Sequence, residues 1–155
     1  MNLTNYLQNR LAPLYGGTEH PETKRKILLM THVVVGYPSL EANWKMLEAM
    51  GEADVDLVEL QMPFSEPSAD GPLFVKANQE ALQSGIRWKD YFDLMRRASE
   101  RFDFPLLMMG YFNTAFAMGY GNYCANIRKN GGEGFIIPDL PLEEYGDLFE
   151  LSRQH

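Results

Sequence analysis

The sequence is poor in cysteine: Cys124 is its only thiol among 155 residues. A single thiol excludes an internal disulfide and a cysteine-based zinc cage, and it is compatible with a reducing compartment. Long apolar runs are also missing, since none approaches the roughly 18 residues that a membrane span needs. The polar N-terminus lacks the hydrophobic core of a secretory signal. We therefore expect a cytoplasmic protein that neither binds nor crosses a membrane.

Basic clusters and nucleotide motifs are absent as well. The net charge is −7 and the 14 Lys and Arg residues form only short groups, so nucleic acid, which requires a basic face, is not an expected partner. No phosphate-binding loop and no Gly-x-Gly-x-x-Gly motif follows a predicted strand, so the sequence predicts no nucleotide cofactor. The length is that of one domain, and we predict a single domain over residues 1–155.

Apolar runs alternate with stretches of helical periodicity along the chain. The predicted strands are 27–35, 55–60, 105–109 and 135–137, and the predicted helices are 2–14, 39–51, 74–84, 88–101, 120–130 and 142 to the C-terminus. Strands that are apolar on both faces and alternate with helices favour an α/β fold with a parallel sheet and right-handed crossovers.

Polar residues gather directly after each predicted strand, where ligands bind in doubly wound sheets and α/β barrels. Glu59 closes the second strand, and we interpret it as an acid-base group that transfers a proton near neutral pH. The alternative is a structural role, in which Glu59 pairs with a lysine or accepts hydrogen bonds from loop amides. Asp70, in the turn-forming stretch Ala-Asp-Gly-Pro, is either the pocket partner of Glu59 or an Asx turn that shapes the loop.

The remaining candidates have simpler structural alternatives. Tyr111 and Asn113 follow the third strand and either line a pocket or form a hydrogen-bonded turn. Asp139 follows the fourth strand and is either an acid at a helix N-terminus or a residue that orients a neighbouring side chain. His32 lies inside an apolar strand, where a histidine usually forms hydrogen bonds without any catalytic role. Cys124 is expected to pack in the core. No metal site is predicted.

These residues together carry a resemblance. Glu59-Leu60-x-x-Pro63-Phe64-Ser65-x-Pro67-x-Ala69-Asp70-Gly71-Pro72 resembles the ELG(I/V)PFSDPxADGP motif of the tryptophan synthase alpha chain family. Gly36-Tyr37-Pro38, Met109-Gly110-Tyr111-Phe112-Asn113 and the stretch from Phe135 to Glu144 support it. The likeness covers the chain from about residue 25 onward.

The resemblance implies a (β/α)8 TIM barrel, of which the first four units are present, and a lyase of tryptophan biosynthesis. The family cleaves indole-3-glycerol phosphate to indole and glyceraldehyde 3-phosphate by a retro-aldol step. It needs no metal or cofactor of its own. It joins a beta chain in an alpha2beta2 complex, and pyridoxal phosphate is expected only in that beta chain.

The family's residue roles transfer by position. Glu59 matches the acid-base group that protonates indole C3, and Asp70 matches the carboxylate that holds the indole N–H. The expected substrate-binding residues are Tyr111, His32 and Ile136. The expected interface with the beta chain consists of Pro63, Phe64, Ser65, Glu66, Pro67, Asn113 and Asp139.

Three residues and the length depart from the family. Gln61 replaces the usual Gly, Glu66 replaces the usual Asp, and His32 stands where an apolar residue is more common. A complete barrel takes about 250 residues and binds phosphate after its seventh and eighth strands. We therefore expect a piece of a longer chain; the alternative is a half barrel that assembles with its own copy. Two other functions stay open: a truncated or silent alpha chain that only binds and activates a beta chain, and a different barrel lyase or isomerase.

Overall fold

The computed structural model describes residues 3–11 and 27–154. Four parallel strands form one sheet in chain order: β1 Met30–Val34, β2 Leu57–Gln61, β3 Leu106–Met109 and β4 Gly132–Ile136. The helices are α1 Leu3–Arg10, α2 Leu40–Glu52, α3 Pro72–Gln83, α4 Trp88–Arg101, α5 Phe112–Met118, α6 Tyr120–Lys129 and α7 Gly146–Gln154, with a 3-10 turn at Leu142–Glu144. This order of strands and helices is that of the first four units of a (β/α)8 barrel, as predicted.

The pleat of the strands separates two faces of the sheet. One face packs under the helices and holds the buried core, which includes Val33, Val58, Leu60, Leu106 and Met108. Because alternate residues point to opposite faces, the residues between them belong to the other face, which we call the inner face. The strand register aligns His32, Glu59 and Leu107 side by side across it.

Local sequence explains where several helices begin. Ser39 caps α2 by accepting a hydrogen bond from the Ala42 N–H at 3.1 Å. Pro72 opens α3 at the first helical position, where its missing N–H leaves no bond unmade. A positive φ of 82° at Gly131 turns the chain from α6 into β4.

The N-terminal helix is fixed to the amino end of the sheet. Arg10 forms an ion pair with Asp54, with 2.7 Å between Nη2 and Oδ1, and its Nε donates to the buried Asp56. Asp56 also accepts a hydrogen bond from the Leu29 N–H at 2.8 Å. This cluster lies at the end of the sheet opposite the predicted site.

Several element bounds differ from the prediction. β1 begins at Met30 and not at residue 27, and Ile27 is 81% exposed. β4 begins at Gly132, since pairing with β3 recruits a Gly-Glu-Gly segment of low strand propensity.

The helices differ too. α5 was not predicted, and the last helix starts at Gly146 after the separate 3-10 turn. α1 ends at Arg10, before Pro13, which lies outside the described residues. Over the described ranges, no helix is long and apolar enough to cross a membrane.

Candidate active site

The inner face places Glu59 opposite His32. The two residues are register partners on β2 and β1, and His32 Nδ1 lies 3.3 Å from Glu59 Oε1. The Glu59 side chain is 12% exposed and that of His32 is 24% exposed, so both are largely removed from water yet still reachable from the inner face. The imidazole ring also contacts the edge of Phe74 on α3, with 5.0 Å between ring centroids.

Gln61, two residues beyond Glu59, connects the strands to the loop. Its Oε1 lies 2.7 Å from His32 Nε2, and its Nε2 donates to Asp70 Oδ2 at 2.8 Å. The side chain is completely buried, so these contacts replace the water that its amide would otherwise bind. Glu59, His32, Gln61 and Asp70 therefore form one connected chain of polar contacts, with a carboxylate at each end.

Two residues hold the loop 62–71 that carries Asp70. Asn78 on α3 is fully buried; its Oδ1 accepts from the Phe64 N–H at 2.9 Å and its Nδ2 contacts Asp70 Oδ2 at 3.3 Å. Tyr111, at the end of β3, accepts a hydrogen bond from the Ala69 N–H at 3.2 Å and stacks on Phe64. The loop is thus fastened from both sides over the carboxyl end of β2.

The carboxylates of the site contribute to raised pKa values of His32 and Tyr111. Burial lowers the pKa of His32, but the hydrogen bond and charge of Glu59, with smaller contributions from Gln61 and Asp70, outweigh it and raise the pKa above its ordinary value. Burial raises the pKa of Tyr111 to about 12, and the nearby charge of Asp70 adds to the rise. Tyr111 therefore keeps its proton and acts as a hydrogen-bonding group at neutral pH.

The other predicted site residues lie around this centre. Ile136 is half-buried at the end of β4 and is the register partner of Met109. Pro63 and Pro67 are buried, Phe64 is half-buried, and Ser65 and Glu66 are exposed at the tip of the loop. Their contacts with a substrate or a partner stay predictions.

Asn113 and Asp139 lie on the same rim as the loop. Both are exposed, and Asp139 Oδ1 accepts a hydrogen bond from the Phe112 N–H at 2.7 Å. Asp139 therefore binds the first turn of α5, which agrees with the alternative of an acid at a helix N-terminus. The stack of Phe64 on Tyr111 joins this end of α5 to the loop.

Sequence reasoning missed two buried amides. Asn78 holds the loop as described, and Asn43 on α2 bonds the turn after β1, accepting from the Gly36 N–H at 2.6 Å and donating to the Tyr37 carbonyl at 2.8 Å. The available signal was an Asn on an apolar helix face, among Ala77 and Ala81 for Asn78 and beside Leu47 for Asn43. A polar residue at a core position needs partners, and the nearest loops supply them.

The fold and the site define a class of protein: (β/α)8-barrel proteins that carry acid-base side chains at the carboxyl ends of their strands. A family model described as tryptophan synthase alpha chain matches residues 19–155. The chain belongs to that family, whose members are lyases.

Individual relatives agree with this assignment. The tryptophan synthase alpha chain of Syntrophotalea carbinolica is 45% identical over 132 residues, which are 85% of this chain and 52% of the relative. The solved alpha chain of Legionella pneumophila superposes with a TM-score of 0.84 at 25% identity, covering 100% of this chain and 55% of that one. A ligand-free tryptophan synthase from M. tuberculosis gives a TM-score of 0.77 at 28% identity, covering 83% and 51%. The chain therefore spans about half the length of the curated relatives it matches.

Proposed function

We propose that this chain carries the acid-base residues for the retro-aldol cleavage of indole-3-glycerol phosphate to indole and glyceraldehyde 3-phosphate. The observation that supports the proposal is the connected set of contacts from Glu59 through His32 and Gln61 to Asp70. It brings two carboxylates of a strand and a loop to one end of the inner face, at the carboxyl end of the sheet. In the proposal, one carboxyl group transfers the proton and the other stabilises the positive charge on the indole.

Each carboxyl group has a separate role in the proposal. Protonated Glu59 delivers its proton to indole C3, which turns the ring into a cationic electron sink. The bond between C3 and the carbinol carbon then breaks, its electron pair restores the aromatic ring, and the carbinol hydroxyl loses a proton as the aldehyde forms. Glu59, now a carboxylate, is the base that accepts this proton, so the step is balanced. Asp70 accepts a hydrogen bond from the indole N–H and stabilises the positive charge.

The substrate pocket and the cofactor assignment follow from this chemistry. Tyr111, His32 and Ile136 are the proposed contacts of the substrate: His32 pairs with Glu59 across β1 and β2, Tyr111 follows β3, and Ile136 ends β4. Side-chain acids and bases supply every step, so we assign no metal and no cofactor to this chain. Pyridoxal phosphate belongs, in the proposal, to the partner beta chain.

We further propose that the rim formed by the loop 62–71, Asn113 and Asp139 docks on a beta chain. The rim is continuous, because Phe64 stacks on Tyr111 and Asp139 bonds the first residue of α5. Beside it lies a recess of about 460 Å³ that is mostly apolar. Its lining residues include Met62, Pro63, Phe64, Trp88, Asn113 and Met118. An apolar recess with a polar rim suits a protein partner.

The test measures indole release from indole-3-glycerol phosphate by this chain, alone and with a beta chain. We expect Glu59→Gln to lower the rate by about 100-fold or more, the usual contribution of a general acid. Glu41→Gln is the matched control, because Glu41 is exposed on α2 and pairs with Lys45 of the same helix; its rate should not change. An undiminished rate in Glu59→Gln would contradict the assigned role.

The second candidate function is that of a silent alpha chain that binds and activates a beta chain. It is supported by the continuous rim of the loop 62–71 and the start of α5, which offers a surface to a beta chain whether or not Glu59 transfers a proton. The same experiment separates the two functions. Stimulation of the beta chain's own reaction without any indole release, in the chain or the complex, would favour the silent form.

A further inference from the structure

The direction of each hydrogen bond around Gln61 can be assigned, because one end of the network is a backbone N–H. The Phe64 N–H can only donate, so the atom of Asn78 that faces it at 2.9 Å is the carbonyl Oδ1. The other half of that amide, Nδ2, donates to the Phe74 carbonyl at 2.8 Å, which agrees with this orientation. The neighbours of Asn78 therefore determine which end of its side-chain amide is the oxygen and which is the nitrogen.

The orientation of Asn78 determines that of Gln61. Asn78 Oδ1 and the Asp70 carboxylate both accept, and they face the same end of Gln61 at 3.4 Å and 2.8 Å. That end must be the amide NH2, so the carbonyl Oε1 points at His32 Nε2, 2.7 Å away. A carbonyl oxygen only accepts, and the Nε2 of His32 must therefore carry a hydrogen.

This tautomer leaves the other ring nitrogen to face Glu59. When His32 is neutral, Nδ1 holds a lone pair 3.3 Å from Glu59 Oε1, so a contact forms only if Glu59 carries the proton. When Glu59 is ionised, the contact forms only if His32 is an imidazolium. The two side chains therefore share one proton. The proton lies either on Glu59, with His32 neutral, or on His32 as an imidazolium, with Glu59 ionised.

We propose that His32 is a positioning residue that shares one proton with Glu59 through Nδ1, and that Gln61 fixes the tautomer which makes this sharing possible. His32 thereby keeps a proton within reach of Glu59 and fixes the direction along which it is shared. The catalytic role of this proton sharing rests on the proposed function, whereas the sharing itself takes place in the chain without substrate. Gln61 and His32 act as a pair, which accounts for two departures from the usual family sequence by one interaction.

The charged groups around the ring are few in the described part of the chain. Glu59 of β2 faces it directly, Asp70 of the loop acts on it through Gln61, and α3 contributes the uncharged ring of Phe74. The raised pKa of His32 agrees with this environment, since Glu59 is the main group that raises it. Substitution of Glu59 should therefore affect the titration of His32 more than any substitution elsewhere.

The experiment is a long-range 1H–15N NMR titration of the 15N-histidine-labelled chain. The signals of His32 are assigned by their loss in His32→Phe, and the other two histidines of the sequence serve as internal references. In wild type we expect neutral His32 to carry its hydrogen on Nε2 and to titrate at Nδ1. We expect Glu59→Gln to lower the titration midpoint by about one pH unit or more, and Gln61→Met to give a mixture of both tautomers.

The controls decide between the possible outcomes. Glu41→Gln repeats the loss of one carboxylate on the exposed face of α2 and should leave the midpoint unchanged. A neutral His32 protonated on Nδ1, or a midpoint that Glu59→Gln does not move, would overturn the proposal. The wild-type tautomer needs no variant, so the proposal stays testable if a substitution prevents folding. The expected tautomer without indole release would overturn the proposed function alone, and indole release with the other tautomer would overturn only the role of His32.

Discussion

At the scale of single residues, the site is a small set of polar side chains that satisfy one another in a mostly apolar setting. Gln61 is fully buried and contacts both His32 and Asp70. A glycine at this position would leave the imidazole and the carboxylate without these partners. Buried polar groups are costly when unpaired, so the glutamine and the histidine depend on each other, and substitution of one should affect the other.

The raised pKa of His32 predicts a pH-dependent stability. A histidine whose folded pKa lies above its unfolded value of about 6.5 stabilises the folded state fully below that value. The stabilisation is lost as the pH rises through the folded pKa. The free energy of unfolding of wild type minus that of His32→Phe should therefore be largest at pH 5.5 and should decline towards pH 8.5, as measured by urea denaturation.

The aromatic replacement keeps a ring beside Phe74, so packing changes are the same at every pH. In a Glu59→Gln background the pH dependence should be weaker, because the main group that raises the pKa is gone. A difference that stays constant from pH 5.5 to 8.5 would mean that His32 binds the same number of protons in the folded and unfolded states.

At the scale of elements, α3 holds the loop in place through one side chain. Asn78 contacts the backbone of the loop at Phe64, the Asp70 carboxylate and its own helix at Phe74. We expect Asn78→Ala to destabilise the chain by about 1 to 3 kcal/mol, because a buried N–H and a carboxylate lose a partner. Urea denaturation measures the loss, and hydrogen exchange at the Phe64 amide should become faster.

Asn122→Ala is the matched control for this substitution. Asn122 lies on α6 and donates to the Met118 carbonyl at 3.3 Å in an exposed contact. Its loss should change stability by less than about 0.5 kcal/mol and leave exchange at Phe64 unaffected. Equal effects of the two substitutions would show that Asn78 does not hold the loop.

The elements also show what the sequence was able to predict. Apolar runs and helical periodicity found all four strands, since these signals are local, but Glu59 does not close β2 as predicted, because the strand continues to Gln61. α5 was missed because its seven residues, FNTAFAM, are too few to show a helical period and follow a predicted turn. The contacts of Gln61 were beyond prediction, because they join β1, β2, the loop and α3 across long separations in sequence.

At the scale of the whole molecule, the described sheet has two edge strands. β1 and β4 each pair on one side only among the residues that the structure describes. Residues at the start of β1 are unusually exposed for their type: Leu29 is 50% and Met30 is 47% exposed. An apolar edge strand offers free N–H and C=O groups to another chain, whereas the net charge of −7 opposes association.

We therefore expect the isolated chain to self-associate through the edge of β1, more strongly as salt screens its charge. Met30→Lys should weaken this association, since a lysine on an edge strand resists pairing with a second strand. Sedimentation velocity over a range of protein concentrations measures the effect. Leu82→Lys adds the same charge to α3 at a residue that is 36% exposed. Because this lysine lowers the net negative charge, it should leave association unchanged or slightly strengthen it. A reduction by Leu82→Lys as large as that by Met30→Lys would contradict the assignment of the association to the edge of β1.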